Sequence, residues 1–252
     1  MTAKLPPVYV ISLSRETARR ENIKSRLNAL GANYQIIDAV DGKTLTPPQY
    51  AHRLQPRRFQ LKEGVKITLG EIGCFMSHHN LWRQIADGKD ECALILEDDA
   101  VWDDDFAEVV NGVLTCEWHW EFVLLSEDAT TTAGRVLCGL CNNRKLFHRY
   151  RRAFTLAAYL ISRSGAAKLH DYCQTIRAPL DSMTPEFWKH GAAFYCVTPP
   201  PARQSGEESA IGHDRYNQIK RTITERALGS LLRKADRLQK AIYIMTNPPR
   251  KK

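Results

Sequence analysis

The chain of 252 residues is 43% apolar and 25% charged, a balance that excludes wholesale disorder and suits one large α/β domain or two small ones. Its net charge of +8 is unevenly placed: of 36 basic and 28 acidic residues, ten and two fall within 216–252, which leaves 26 of each for the body. A neutral body with a basic end excludes a basic nucleic-acid-binding core and points to a C-terminal segment that touches something anionic.

Residues 8–13 (VYVISL) follow Pro6-Pro7 as a short apolar run and read as a buried strand. Ser14 is placed to cap a helix over 16–30, with Ile23, Leu27 and Leu30 as its stripe and Gly31 as its stop. A second strand at 34–38, closed by Asp41-Gly42, completes a strand-helix-strand unit of the length a parallel βαβ needs. Residues 43–67 are polar and contain Pro47-Pro48, Arg53, Arg57 and Arg58, so they read as a long loop carrying at most one short helix. Thr68 and Glu71 have capping-box spacing and open a helix to about residue 86. Its apolar stripe is Ile72, Phe75, Met76, Trp82 and Ile85. Strands follow at 93–96, 122–125, 155–161 and 193–197, with a helix over 164–172 and Pro199-Pro200-Pro201 after the last strand. Strands alternating with helices predict an α/β class with a mostly parallel central sheet.

From residue 228 the apolar positions Leu231, Leu232, Ala235, Leu238, Ala241, Ile242 and Met245 keep helical spacing. Arg226, Arg233, Lys234, Arg237 and Lys240 take the remaining surface, and Arg250-Lys251-Lys252 add a basic end. Such a helix suits an anionic membrane interface; the other reading packs its apolar stripe on the domain or on a second subunit. No apolar stretch is long enough to span a bilayer. Seven scattered cysteines and an N-terminus without a signal-peptide pattern predict reduced thiols and a cytoplasmic location.

In an open α/β sheet, ligands sit beyond the carboxyl ends of the strands. Glu97-Asp98-Asp99 lies there, and three consecutive carboxylates at a strand end repel one another. A hard divalent cation, Mg²⁺ or Mn²⁺, offsets that repulsion, with substrate phosphates supplying further oxygens. The alternative is an acidic helix cap, the reading given to Asp103-Asp104-Asp105. Glu71 and His78, seven apart, share a helix face with Ser77 alongside, as a ligand-facing group or as a half-buried polar patch. Arg15, Arg19 and Arg20 follow strand one, where a phosphate can be held bidentately, or they form a solvated face; Arg15 is the best placed. Cys116, His119, Cys138 and Cys141 have zinc-like spacing, but a strand and a loop intervene, and two buried or idle thiol pairs are the preferred reading. Neither a P-loop nor a GxGxxG motif occurs.

Six blocks in order carry a resemblance: ISLSR (11–15) with Arg19-Arg20, EIGCFMSH (71–78), ALILEDD (93–99), AAYLISR (157–163), Pro179-Leu180-Asp181, and SAIGHDR (209–215). Together they resemble glycosyltransferase family 25, the bacterial lipopolysaccharide and lipooligosaccharide glycosyltransferases that include β-1,4-galactosyltransferases. The resemblance implies a GT-A-like, Rossmann-type catalytic domain over 1–215, followed by the basic tail over 216–252. It implies an inverting, metal-dependent transfer of a hexose, galactose in first place, from a UDP-sugar to a saccharide acceptor. It places the metal at the DxD-like motif, here Glu97-Asp98-Asp99, whose first acid is Glu. Asp99 then holds the metal, Glu97 and Asp98 face the donor, and His213 completes the metal shell or touches the diphosphate. Asp181, matching the family's Pro-x-Asp, is the candidate base that deprotonates the acceptor hydroxyl, with Glu127 as its rival. Arg15, Arg19, Glu71, Ser77 and His78 line the donor pocket. A lipid-anchored acceptor suits an enzyme peripheral on the inner face of the inner membrane. Against this stand a non-catalytic binder of an anionic surface or of nucleic acid, and a family member with a different hexose or acceptor. The neutral body disfavours nucleic acid.

Overall fold

The computed structural model describes residues 5–126, 133–150, 155–206 and 220–252. Along the chain, β1 (Val8–Ser12), α1 (Thr17–Ala29) and β2 (Tyr34–Asp38) form the expected βαβ unit, with β1 and β2 parallel. Two short helices, α2 (Pro47–Tyr50) and α3 (Pro56–Glu63), occupy about half of the segment expected to be a loop. Both begin on a proline at the first helical position, where its missing N–H leaves nothing unsatisfied. Helix α4 (Leu69–Asp87) starts from the full Thr68/Glu71 capping box. It leads into β3 (Cys92–Glu97), a short β4 (Ala100–Trp102), α5 (Phe106–Thr115) and β5 (Phe122–Leu124). The remainder comprises β6 (Gly134–Gly139), β7 (Lys145–Arg149), β8 (Ala158–Ser162), α6 (Arg163–Tyr172), α7 (Leu180–Met183), α8 (Phe187–His190), β9 (Phe194–Thr198), β10 (Ala202–Gln204) and α9 (Ile223–Thr246).

The main sheet has the order β2-β1-β3-β8-β5-β9-β7-β6. β8 runs antiparallel to both neighbours and β7 antiparallel to β9 and β6, so every other strand shares one direction. The sheet is therefore mostly parallel in direction, as the alternation of elements predicts. The reversed strand at its centre and the β6–β7 hairpin at its edge were not foreseen. A fully buried run such as that of β8 has the same pattern in either direction, so periodicity cannot orient it.

Strand pleat assigns each side chain to one of two cores. Val8, Val10, Leu94 and Leu96 pack with Ile23 and Leu27 of α1 and with Phe106 and Val110 of α5. Ile11, Ala93, Ile95 and Tyr159 face the other way, onto Ile72, Phe75, Trp82 and Ile85 of α4. Met76, expected in that stripe, is only half-buried. Two expected caps are corrected. Ser14 donates its hydroxyl to Asp38 Oδ1 at 2.9 Å, and α1 begins after Glu16 with no side-chain cap. The acids before α5 serve an arginine: Arg144 donates to both oxygens of Asp105 and to Asp103, each at 2.8 Å.

Beneath α9 lies a buried ion cluster. Glu186, 1% exposed, binds Lys62 of α3, Lys189 at 3.1 Å and the Tyr172 hydroxyl at 2.5 Å, and Lys189 continues to Asp236 of α9 at 2.6 Å. Burial pushes the Glu186 carboxyl up, but Lys62, Tyr172 and Lys189 outweigh it and hold the group at about 2. Because the folded value lies below the unfolded one of about 4.3, this stabilisation is complete above that value and is lost as pH falls through about 2. Glu186→Gln, which leaves buried Lys62 only the more distant Asp236 at 3.6 Å as counter-charge, is expected to lose up to about 3–5 kcal/mol at neutral pH. Urea unfolding between pH 7 and pH 3 measures the loss, and the difference between variant and wild type should shrink as the acid limit is approached.

The C-terminal helix docks by one face. A Cβ on Gly229 would lie 2.4 Å from the carbonyl oxygen of Leu61, so only glycine lets α9 approach α3 this closely. Tyr243 and Ile244 pack against the core, and Lys240 sits over the Trp188 ring at 4.9 Å. The opposite face leaves Leu231 61%, Leu238 63% and Met245 74% exposed, with Leu228 and Ile242 between them. No helix among the described residues is long and apolar enough to cross a membrane.

Candidate functional site

A cavity of about 610 Å³ opens at the carboxyl ends of β1, β2 and β3, within the usual range of small-molecule sites. Its walls come from the β1–α1 turn (Ser12, Arg15, Arg19), the segment after β2 (Asp41, Lys43), the start of α4 (Thr68, Cys74, Ser77, His78) and the acidic strand end (Glu97, Asp98, Asp99). Close backbone contact builds the corner between β2 and α4. A Cβ on Gly73 would lie 2.5 Å from the carbonyl oxygen of Val40, and one turn later Ser77 Oγ accepts from Val40 N at 2.8 Å.

The acidic triplet divides its labour. In the pleat of β3, Glu97 follows Ala93 and Ile95 onto the α4 face, and there its Oε1 meets His78 Nε2 at 3.2 Å. His78 is 1% exposed; its Nδ1 lies 2.8 Å from the Tyr159 hydroxyl, which also accepts from Trp82 Nε1 at 3.0 Å. One proton order satisfies the whole chain. Trp82 donates to Tyr159, Tyr159 to His78 Nδ1, and His78 Nε2–H to Glu97. Tyr159 keeps its proton, because burial raises its phenol well above the ordinary value.

Asp98 accepts from Ser12 Oγ at 2.6 Å and lies 3.6 Å from Arg19 Nη1. Burial raises its carboxyl, and Ser12 and Arg19 oppose the rise. Asp99 has less support. Burial and the charges of Glu97 and Asp98 push its carboxyl to about 7, and its buried Oδ1 has no hydrogen-bond partner. That orphaned buried carboxylate oxygen is a donor that suits a hard divalent cation, while the Glu97 and Asp98 oxygens are turned to His78 and to Ser12 and Arg19.

The other expected residues separate. Arg15 lines the cavity and pairs with Asp41 and Glu16. Arg20 is turned away and clamps the ends of β1 and β2, donating to Ser12 O at 2.7 Å and Asp38 at 2.5 Å. Glu71 does not line the cavity; its Oε2 accepts from Thr68 N at 2.8 Å as the cap of α4. Ser77 lines it, but its hydroxyl is engaged with Gly73 O and Val40 N. Asp181 sits on α7, whose Leu180 and Met183 are buried in the core, and does not line the cavity. Glu127 and His213 lie outside the described residues, as does the whole of the 209–215 block. Among the described residues, no three of Cys116, His119, Cys138 and Cys141 come within metal-binding reach of one another.

Sequence reasoning missed Ser12, Lys43, Lys66, Tyr159 and Gln204. Ser12 carried a signal, as a polar residue next to the end of the strand expected over 8–13. Gln204 carried none: it reaches the cavity because β10 pairs antiparallel with β4, just after the acidic triplet.

A family model described as glycosyltransferase family 25 (LPS biosynthesis protein) matches residues 5–184. Among similar proteins, the "Probable inactive glycosyltransferase 25 family member 3" of Rattus norvegicus is 31% identical over 170 residues, covering 64% of this chain and 29% of its own length. Procollagen galactosyltransferase 1-A of Xenopus laevis is 29% identical over 199 residues, with coverage of 75% and 32%. Procollagen galactosyltransferase 2 of Homo sapiens is 26% identical over 205 residues, with coverage of 75% and 31%. The chain thus spans about a third of the length of these relatives. The solved glycosyltransferase GlyE of Streptococcus pneumoniae TIGR4 aligns over 98% of this chain and 64% of that one, at a TM-score of 0.45 and 8% identity.

Proposed function

Because the chain belongs to glycosyltransferase family 25, we propose that it is an inverting, metal-dependent glycosyltransferase of GT-A type. In this reading it moves galactose from a UDP-sugar to a saccharide acceptor of lipopolysaccharide or lipooligosaccharide. The observation that carries the proposal is the cavity at the strand ends, which sets cationic side chains opposite the acidic triplet. Galactose is favoured by the names of the procollagen galactosyltransferases, and the acceptor by the family's description.

Arg15, Arg19, Lys43 and Lys66 line the cavity and bind the donor diphosphate by charge-assisted hydrogen bonds. Asp98 and Ser12 keep Arg19 aimed into the site. Asp99 would hold Mg²⁺ or Mn²⁺. The ion, when bound, supplies Lewis-acid neutralisation of the departing diphosphate. Asp181 takes the proton of the acceptor hydroxyl. A base serves the acceptor, so it need not line the donor cavity. Glu127 is the rival, and His213 is a further candidate on the metal side.

Thermal shift with UDP, with and without Mn²⁺, tests the donor site, and hydrolysis of UDP-Gal, UDP-Glc, UDP-GlcNAc and UDP-GalNAc with Mn²⁺ tests the chemistry. We expect UDP to raise the melting temperature only when Mn²⁺ is present, and UDP-Gal to be turned over fastest. No response to UDP under either condition overturns the donor site. A response without any turnover makes this chain a non-catalytic member, as the name of the Rattus norvegicus relative describes that protein.

The tail holds the enzyme at an anionic membrane surface on the cytoplasmic side. The outward stripe of Leu231, Leu238, Ile242 and Met245, flanked by exposed Arg226, Lys234 and Arg237, supports this reading. Since the other face of α9 packs on the domain, truncation would expose core. The cleaner variant replaces Leu231, Leu238 and Ile242 by serine. It is expected to stop co-sedimenting with phosphatidylglycerol vesicles at low salt, with melting temperature unchanged. Continued co-sedimentation, or a wild-type dimer that the variant dissociates, overturns the membrane reading.

A further inference from the structure

We infer that Cys74, His78 and Glu97 form a binding site for one thiophilic divalent ion of the zinc class, separate in its chemistry from the hard-cation position at Asp99. The thiol sulfur, one imidazole nitrogen and one carboxylate oxygen already lie within 4.8 Å of one another, the one such cluster of His, Cys, Asp and Glu among the described residues. Local structure accounts for the convergence. Cys74 and His78 are four apart on α4 and so share a helix face. The pleat of β3 turns Glu97 toward that face. All three line the cavity at the strand ends.

The histidine is oriented as a metal ligand is. Its Nδ1 is held by the Tyr159 hydroxyl at 2.8 Å, the Tyr159 oxygen is fixed in turn by Trp82, and Nε2 is aimed at Glu97 and the cavity. Metal-bound imidazoles characteristically donate their other ring N–H to a fixed oxygen, which here requires the ring proton on Nδ1 with the Tyr159 oxygen accepting it. Ligand atoms around four-coordinate zinc stand roughly 3.3–3.8 Å apart, given Zn–S of about 2.3 Å and Zn–N of about 2.0 Å. Rotamer-scale movement of Cys74 and Glu97, both half-buried, closes the remaining distance. Three protein ligands facing a cavity leave a fourth position open to a small molecule.

The donor set selects the ion. A thiolate and an imidazole favour Zn²⁺ over Mg²⁺ or Mn²⁺, whereas the all-oxygen surroundings of Asp99 favour the latter. Binding releases one proton, from the Cys74 thiol. The His78 ring proton moves from Nε2 to Nδ1, where the Tyr159 oxygen accepts it and the Tyr159 O–H gives up its bond to the ring. No other cysteine among the described residues has two further ligand atoms this close to its sulfur. The site stands on its own three side chains. Only the identity of the fourth ligand, an oxygen of the donor diphosphate, rests on the glycosyl-transfer reading.

The test titrates the chelator-stripped full chain with Co²⁺ under reducing conditions. One equivalent should bind, with a near-ultraviolet thiolate-to-cobalt charge-transfer band, the visible bands of a four-coordinate ion, and release of one proton. Zn²⁺ should displace it, and excess Mg²⁺ should not. Cys74→Ser should abolish the charge-transfer band and weaken Zn²⁺ binding at least about 100-fold; Glu97→Gln should weaken binding and keep the band. Absence of stoichiometric binding to wild type, or a band that survives in Cys74→Ser, overturns the site. If the stripped Cys74→Ser protein does not match the wild-type melting curve, Cys74→Ala and the Glu97→Gln titration decide by the same criteria. Addition of UDP separates the two readings: visible bands that UDP leaves unmoved, with cobalt bound, sink the donor as fourth ligand and leave the metal site standing.

Discussion

Asp99→Asn is expected to lower sugar transfer about 100-fold or more, the usual consequence of removing a preorganised electrostatic stabiliser, while the protein stays folded. The two halves of this expectation have one physical origin. In the metal-free protein Asp99 is a liability: its Oδ1 is buried without a hydrogen-bond partner, and burial together with Glu97 and Asp98 lifts its carboxyl to about 7. Asn is close in shape and removes the repelling charge, so the fold loses nothing by the exchange. What it removes is the anionic oxygen that would meet a divalent cation. Initial rates with saturating UDP-sugar and a Mn²⁺ titration measure the first half, and thermal melts in EDTA measure the second. Asp98→Asn should behave differently, because Asp98 is tied to Ser12 and Arg19; it should raise KM for the donor more than it lowers kcat. An Asp99→Asn enzyme with near-wild-type rate, together with EDTA insensitivity, removes the cation from the mechanism.

Asp181→Asn is expected to cut transfer to acceptor by about 10²- to 10⁴-fold, the range for loss of a positioned general base, with donor affinity nearly unchanged. Asp181 lies on α7, outside the lining of the donor cavity, so its removal has no direct route to the nucleotide. The measurement pairs acceptor-dependent turnover with UDP binding in the same preparation. Glu127→Gln is the necessary companion, since that residue follows in sequence on Ser126, and Ser126 itself bridges to Ala202, the first residue of β10. If Glu127→Gln loses transfer to the stated extent while Asp181→Asn stays active, the base belongs to the end of β5.

The cavity also shows how one motif can serve several ends. Glu97, Asp98 and Asp99 are adjacent in sequence yet meet different partners: a histidine on α4, a serine and arginine at the end of β1, and, for Asp99, a buried oxygen with nothing to bind. The first acid is the longer side chain, and that length lets it reach across to His78 from the last residue of the strand. Glu97→Asp is therefore expected to lose the His78 contact, whereas Glu97→Gln keeps an oxygen within reach of His78 Nε2–H and removes only the charge.

The sequence by itself determined the parts whose signal is local. The run over 8–13, the Thr68/Glu71 capping box, the position of the acidic triplet at a strand end and the amphipathic pattern of α9 can each be read from a few neighbouring residues, because strand pleat, helical period and end-capping act over that range. The six ordered blocks from Ile11 to Arg215 pointed to the family. Only the tertiary structure decided the rest. Glu71 was expected beside His78 on one helix face, but its carboxylate closes the capping box that the same spacing announced. The Ser77 hydroxyl is engaged by the Val40 backbone, 37 residues away, once Gly73 lets the two segments touch. The direction of β8, the pairing of β10 with β4 and the proton order from Trp82 to Glu97 depend on contacts between segments distant in the chain. The apolar stripe of α9 was legible as a stripe. That it faces outward followed only when Gly229 and the Glu186 ion cluster fixed the opposite side of the helix to the domain, because amphipathic spacing says which residues share a face and not what that face will meet.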